Sequence, residues 1–462
     1  MPVLCFDVVQ RAPAFWLLFL LNLAAQAQDT RHVTEPVVPQ PCATLLAKLA
    51  SSAGTLQVED ENHPDTVRIQ QAIDGCAAGH SVELKVGGSS DAFLSGPLRL
   101  RSNVTLLIDK GVVLFASRNP RDYDISPGSC GVVDERGHGC RALINGERAD
   151  HAAVMGEGAI DGRGSETLLG QKVSWWDLAQ EAKVKNLNQS CPRLLILLRC
   201  NDFTLYKITL RNSPNFHVSF NQGNGFTAWG VVIDSPKTAR NTDGIDPANS
   251  TNVTISQCFI HTGDDQVAIK AGGTAGPSSH MSIVHNHFYT GHGMSIGSET
   301  DAGANHILVS DLTIEGADNG IRIKSNSSRG GLVEDITYQH VCIRDTRNPI
   351  FMDTNYSYFG TNRDKLPIFQ NITLRDVHIS GAGKITLDGF DTSHRLQMKL
   401  DDVTIDGTAG MQIAAKHADL ALGPGPVNFK LAGLDVNVTG ETGKDSAADS
   451  CQSRFVPMPQ RD

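Results

Sequence analysis

A single-domain, all-β parallel β-helix is the fold this sequence predicts, and three observations carry the prediction. Seven short openings recur along the chain: Asp202-Phe-Thr-Leu, Gly225-Phe-Thr-Ala, Asn252-Val-Thr-Ile, His280-Met-Ser-Ile, His306-Ile-Leu-Val, Asp335-Ile-Thr-Tyr and Asn371-Ile-Thr-Leu. Each is followed by a second apolar cluster and most by a third, so one unit of about 23 to 29 residues holds three short strands, the mark of a coil stacked on itself. The units leave no room for the crossover helices that an α/β fold needs between parallel strands. Composition agrees, since 44 glycines and only 6% aromatic residues suit many tight corners.

Taken in order, the chain opens with Arg11, an apolar run from Ala14 to Leu23 and the small-residue stretch Ala25-Gln-Ala27. This is the pattern of a secretory signal peptide over residues 1–27, too short to span a bilayer comfortably, so the protein is expected to be extracellular and not membrane-bound. Secretion permits disulfides. Cys5 leaves with the signal and nine cysteines remain, so at least one thiol stays unpaired. Cys42 with Cys76, and Cys130 with Cys140 around a charged Gly-rich loop, are the preferred pairs. Cys258 and Cys342 lie in apolar, strand-like surroundings and are expected to be inert core residues.

Residues 28–62 are polar and irregular and read as a loosely held lead-in. His63 to Cys76 reads as one short helix, with Asp65 or Thr66 able to cap it and Ile69, Ala72, Ile73 and Cys76 on one face, a natural lid for the open end of a solenoid. Short strands follow from Ser81, and the β-helix is expected to fill residues 63–439. Residues 440–462 are polar and read as a frayed tail that Cys451 is placed to tether. Sequons at Asn103, Asn252, Asn371 and Asn437 fall at strand ends, where corner chemistry explains them as well as glycosylation does.

Between Asn241 and Lys324 the repeat carries charge. Asn241-Thr-Asp-Gly-Ile-Asp246, Gly263-Asp-Asp265, Gly291-His-Gly293 and Arg322-Ile-Lys324 recur so that Ile245, Ile269, Ile296 and Ile323 fall 24, 27 and 27 residues apart. If these isoleucines point into the coil, their neighbours point outward, because side chains alternate along a strand. The outward set is then Gly244 and Asp246, Ala268 and Lys270, Ser295 and Gly297, Arg322 and Lys324. Stacking also brings Asp243 close to Asp264 and Asp265, and carboxylates that close repel, so at least one should take up its proton unusually easily. Turn-capping aspartates or a calcium site would use the same residues. A protonated carboxyl beside ionised ones is the equipment for cleaving a glycosidic bond, and two cations alongside suit an anionic sugar. The net charge of −10 argues against nucleic acid as a partner.

These four phrases, in this order and spacing, resemble the signature motifs of glycoside hydrolase family 28, the polygalacturonases. The resemblance runs from about Pro64 through Tyr356 and includes Gly96-Pro-Leu and Ser102-Asn-Val-Thr-Leu; Thr262 to Lys270 and Thr290 to Glu299 are most similar to the bacterial branch. It implies a right-handed β-helix, no metal or other cofactor, and hydrolysis of α-1,4-linked polygalacturonate with inversion, endo-acting given no long insertion between the motifs. Asp264 matches the general acid, Asp243 and Asp265 the carboxylates that activate water, and His292 the residue supporting the acid. Arg322 and Lys324 match the galacturonate carboxylate clamp and Tyr356 a cleft tyrosine, with Asn241 and Lys270 as further cleft contacts. A monomer is expected. Exo-acting, rhamnogalacturonan- or xylogalacturonan-specific hydrolases, a pectate lyase and a non-catalytic carbohydrate-binding β-helix remain as competing readings.

Overall fold

The computed structural model describes residues 28–357, 364–444 and 451–460. The signal-peptide reading falls on residues 1–27, outside the described residues. The chain forms one right-handed parallel β-helix, with all but two of its strands joined in a single hydrogen-bonded system. One coil shows the plan: Leu195–Leu198, Phe203–Tyr206 and Thr209–Arg211, stacked in register on Val218–Asn221, Asn224–Trp229 and Val232–Asp234 of the next.

The seven openings have a backbone reason. Asp202, Gly225, Asn252, His280, His306, Asp335 and Asn371 occupy one aligned corner and all have φ between 49° and 92°. Asn, Asp, His and Gly tolerate this left-handed conformation best. The residue after each points inward, giving a stack of Phe203, Phe226, Val253, Met281, Ile307, Ile336 and Ile372, every one fully buried. Corner and core are thus specified by adjacent letters of the repeat.

The lid helix spans Thr66–Gly75 and buries Ile69 and Ile73. Asp65 holds its N-cap position, but its carboxylate goes to Arg68 at 2.5 Å and to the Leu94 amide at 3.2 Å. A second helix, Trp175–Lys185, interrupts the solenoid before Leu195. Ser174 and Asp177 form its capping box and Trp175, Leu178, Ala179 and Ala182 are buried, a signal present in the sequence but overlooked among the strands.

The aligned isoleucines are all buried, as the alternation required, yet their register differs by one step. Ile245 stacks on Val267, and Ile269 then stacks on Ile296 and Ile296 on Ile323. The first turn is two residues shorter than the isoleucine count implies. A shift of two preserves facing, so the outward set survives.

Both ends of the described chain are held. The lead-in runs along one face: the Asp29 amide donates to Ser282 Oγ at 3.0 Å, Arg31 Nη2 donates to the Phe226 carbonyl at 2.9 Å, and Tyr206 donates to Glu35 at 2.6 Å. Pro41–Leu46 then pairs with His80–Lys85, beside the Cys42–Cys76 disulfide. The tail crosses another face, with Arg454 on Asp311 at 2.6 Å, Arg344 over Phe455 at 4.1 Å and Tyr289 donating to the Val456 carbonyl at 2.9 Å. Residues 451–456 form a strap over that face. Its anchor corrects one expectation: Cys342 is no inert core thiol but pairs with Cys451, while Cys130–Cys140 forms as expected and Cys191, Cys200 and Cys258 are buried and unpaired. A disulfide typically stabilises by roughly 2–4 kcal/mol, and one closing a loop this long lies at or above the upper end. Cys451→Ser should therefore lower the melting temperature and open the Arg454–Phe455 bond to trypsin, with far-ultraviolet circular dichroism unchanged. Unaltered tryptic resistance would show that the strap holds without its disulfide.

Candidate active site

The four phrases converge on one outward strip of the solenoid. Asp243 lies at the corner before Ile245–Ala248, and the Gly244 amide donates to the Asp265 carbonyl at 2.9 Å, so Asp243 and the Asp264–Asp265 pair sit on adjacent coils. One coil further, the His292 amide donates to the Asp264 carbonyl at 2.8 Å and its Nδ1 to Asp264 Oδ1 at 2.9 Å. Gly291 and Gly293 permit this approach. Both have positive φ, and a Cβ on Gly291 would lie 2.8 Å from the Asp264 carbonyl oxygen, one on Gly293 2.3 Å from that of Asn319.

Asp265 is the hub. Its Oδ1 accepts from Ser295 Oγ at 2.8 Å and Arg322 Nη1 at 3.0 Å, and its Oδ2 from Lys324 Nζ at 2.7 Å. All three ionic groups are buried, Asp265 at 2% exposure and each cation at 6%. Arg322 and Lys324, expected as a free carboxylate clamp, are already engaged within the protein. Tyr356 lies over both, its ring centre 5.1 Å from the Arg322 guanidinium and 5.3 Å from Lys324 Nζ. Lys270 joins from the coil of Asp265 itself, bonded to Asp246 on the coil before at 2.6 Å, 3.6 Å from Asp243 and 4.3 Å from the centre of the Phe216 ring. Asn241 stands slightly apart, its Oδ1 accepting from Gln189 Nε2 at 3.1 Å.

Two further members had no role assigned from sequence: Asp246, placed only on the outward face, and His217. Asp246 is buried, and burial first, then the charge of Asp265, pushes its carboxyl up to about 6 against the pull of Lys270. His217 is fully buried beneath the site, donating from Nδ1 to the Asp243 carbonyl at 3.0 Å and bonded through Nε2 to Ser235. Burial pushes it down to about 4, so it is a neutral brace at neutral pH. A histidine between Phe216 and Val218 reads as core, and no spacing signal marks it.

The aspartates divide electrically. Burial, then the charges of Asp264 and Asp246, push Asp243 well above the usual carboxylate range, and its Oδ1 is buried with no partner among the described residues. Burial also opposes ionisation of Asp264, but the hydrogen bond and charge of His292, then Lys324, outweigh it and hold the carboxyl below that range. His292, although burial pulls it down, is raised on balance by Asp264. Protons are thus held more readily than usual by Asp243 and by His292, and less readily by Asp264. Oxygen and nitrogen atoms of Asp264, Asp265 and His292 also lie within 4.8 Å of one another, a spacing a metal ion could use. Asp265 gives both oxygens to cations, however, and a dication there would face Arg322 and Lys324, so the donor set does not suit one.

This arrangement on this solenoid is that of a glycoside hydrolase, and the pattern that defines glycosyl hydrolases family 28 matches residues 76–420. The chain belongs to that family. It is 44% identical to the endo-polygalacturonase of Pectobacterium carotovorum subsp. carotovorum over 398 residues, covering 86% of this chain and 94% of that one. The polygalacturonase of Ralstonia solanacearum is 39% identical over 494 residues, 92% of each chain. Among solved structures, the polygalacturonase from Erwinia carotovora ssp. carotovora superposes with a TM-score of 0.74 at 40% identity, covering 91% of this chain and 99% of that one.

The raised Asp243 has a stability consequence. Between the usual carboxylate range and its own higher value the native state holds a proton that the unfolded state has lost, so stability falls as pH rises through that window. Asp243→Asn should then raise the melting temperature by a few degrees at pH 7, with the gain vanishing near pH 3, where the unfolded carboxyl is largely protonated too. An equal gain at both values would contradict the assignment of the proton.

Proposed function

We propose that this chain is a secreted endo-polygalacturonase that hydrolyses α-1,4-linked galacturonate chains by single displacement, with Asp264 delivering the leaving-group proton. The observation that carries the reading is the geometry of Asp264 between His292 and Asp265: a carboxyl that borrows a proton from an imidazolium 2.9 Å away, beside a second carboxylate bound to two cations. Relatives named as polygalacturonases and endo-polygalacturonase align over most of the chain. Three disulfides fit an oxidising compartment, and no helix among the described residues is long and apolar enough to cross a membrane.

The chemistry follows from where the protons sit. His292 supplies Asp264 with the proton that passes to the glycosidic oxygen. Asp243 must first ionise, favoured by Lys270 nearby, and then with Asp265 takes a proton from water attacking the anomeric carbon from the opposite side. Arg322, Lys324 and Tyr356 bind the sugar at the scissile bond, the two cations exchanging part of their hold on Asp265 for the galacturonate carboxylate, and Asn241 and Lys270 line the same cleft. No cofactor takes part in these steps.

Early products from polygalacturonate, separated by anion-exchange chromatography, test the mode of action. A ladder of mixed oligomers supports internal cleavage; monomer or dimer alone means exo-action, and unsaturated products mean a lyase. Asp264→Asn should lower kcat by about 10²–10⁴-fold, the usual worth of general acid catalysis, with circular dichroism unchanged; a loss under tenfold contradicts its role. Lys324→Gln should raise KM and also lower the melting temperature, because removing one partner of a buried ion pair costs about 3–5 kcal/mol. A change in KM alone would place Lys324 outside the Asp265 cluster. The pH–rate profile should be a bell, rising as Asp243 ionises above the usual carboxylate range and falling as His292 loses its proton above the usual histidine value. His292→Ala should abolish the falling limb, and its survival would assign that limb elsewhere.

A further inference from the structure

Histidine and aspartate recur at a second corner of the solenoid, away from the four phrases. Asp311, His340, Asp376 and Asp402 occupy aligned positions on four successive coils, just before Leu312, Val341, Val377 and Val403. All four have φ between 52° and 59°, the left-handed region that Asp, Asn and His tolerate best after glycine. Backbone shape explains these residue types one at a time. It does not explain His378, two residues beyond Asp376, which points outward between the buried Val377 and Ile379. Its ring turns back to the corner, with Nε2 2.7 Å from Asp376 Oδ1 and Nδ1 2.8 Å from Thr404 Oγ1 on the next coil. One oxygen or nitrogen from each of Asp376, His378 and Asp402 lies within 4.8 Å of the others. From the coil before, His340 Nε2 stands 3.7 Å from Asp376 Oδ2. Two imidazoles and two carboxylates are thus gathered at one corner.

Asp264, Asp265 and His292 have the same spacing but do not suit a metal, because Asp265 gives both oxygens to cations. The second cluster passes that test. Arg375 and Lys399, on the strands that carry Asp376 and Asp402, are drawn instead to Asp401, at 3.4 Å and 4.0 Å. Among the described residues no lysine or arginine pairs with Asp376, whose ionic partners are the two histidines.

Thr404 supplies what a metal-bound imidazole needs. A neutral histidine carries one N–H, and a hydroxyl can either donate to its Nδ1 or accept from it. With the hydroxyl donating, Nε2 keeps the hydrogen and bonds to Asp376. With it accepting, Nδ1 holds the hydrogen and Nε2 turns a lone pair on the same space. Ligating histidines are generally fixed in that second state by a hydrogen bond from their other nitrogen. The switch needs only a turn of the Thr404 hydroxyl. The imidazoles also select the ion: Ca²⁺ and Mg²⁺ take oxygen ligands, whereas Zn²⁺ takes nitrogen and oxygen together. Tetrahedral zinc with bonds of about 2.1 Å holds its ligands about 3.4 Å apart, which small side-chain rotations reach from the present distances.

We propose that His340, Asp376, His378 and Asp402 form a structural Zn²⁺ site that clips three successive coils together toward the C-terminal end of the solenoid. Four protein donors leave no open position, so the ion holds the fold and takes no part in hydrolysis. The strap ends on the same coil: Arg454 donates from Nη2 to the His340 carbonyl and to Asp311, both at 2.6 Å. A clip at His340 therefore steadies the coil to which the C-terminal segment is anchored. The site stands independently of the polygalacturonase reading.

The test uses untagged full-length protein, dialysed against a chelator and then freed of it. Calorimetric titration with ZnCl₂ should show one ion bound per chain, and zinc at about a hundredfold excess over its Kd should raise the melting temperature by a few degrees. CaCl₂ should do neither. Asp376→Asn and His378→Gln should each weaken zinc binding by about tenfold or more and remove the thermal shift, with activity on polygalacturonate unchanged. Asn suits the left-handed corner, so Asp376→Asn keeps the test open should His378→Gln fold poorly. Absence of zinc binding, binding that both variants leave undiminished, or an equal response to calcium would overturn the site.

Discussion

The site depends on the buried cluster of Asp265, Arg322 and Lys324. It joins coils whose residues are more than fifty positions apart in sequence, and it closes only when the coils stack in one register. A slip of one residue would turn Arg322 and Lys324 into the apolar core, and a slip of two would carry them past Asp265. Buried ion pairs add little net stability compared with apolar packing, but breaking one is costly, so the cluster acts more as a gauge of register than as a source of stability. The stacked isoleucines and phenylalanines beneath hold the solenoid together. The polar strip above them requires that it be held in one way.

Once Asp265 is satisfied by two cations, the remaining carboxyls are forced into different states. Asp264 has His292 and stays below the usual carboxylate range, whereas Asp243 has only Lys270 at 3.6 Å and is pushed up by burial and by its acidic neighbours. Three chemically identical side chains are thereby held in three states: a partner for a protonated imidazole, a cation-bound carboxylate and a carboxyl that keeps its proton more readily. Such separation by environment lets one kind of residue serve as acid and base in the same reaction. The neutral His217 beneath fixes the backbone of Asp243 without adding a charge to the balance.

The repeat made the fold readable, because the left-handed corner and the inward residue after it are encoded by adjacent letters such as Asn252-Val and His306-Ile. The motif side chains were readable for the same reason: once strands stack in parallel, alternation alone brings Lys270, Arg322 and Lys324 onto the face that carries Asp246. What escaped depends on long-range partners that leave no periodic trace. Cys342 looks like core until Cys451, which follows the last coil, is folded back onto it. His217 sits between apolar residues, and its tie to Asp243 exists only across coils. The charge of Arg322 and Lys324 could be assigned to a substrate or to Asp265 with equal justice from sequence; in the structure, Asp265 takes both.

The central claim is that Asp264 protonates one side of the glycosidic bond while Asp243 and Asp265 direct water to the other. The anomeric configuration of the first product measures this directly, by proton nuclear magnetic resonance of an oligogalacturonate digest recorded before mutarotation. The account predicts that the new reducing end appears with inverted, β configuration and later equilibrates. A first product with the retained α configuration would contradict it, since it would require one of these aspartates to form a covalent bond to the sugar.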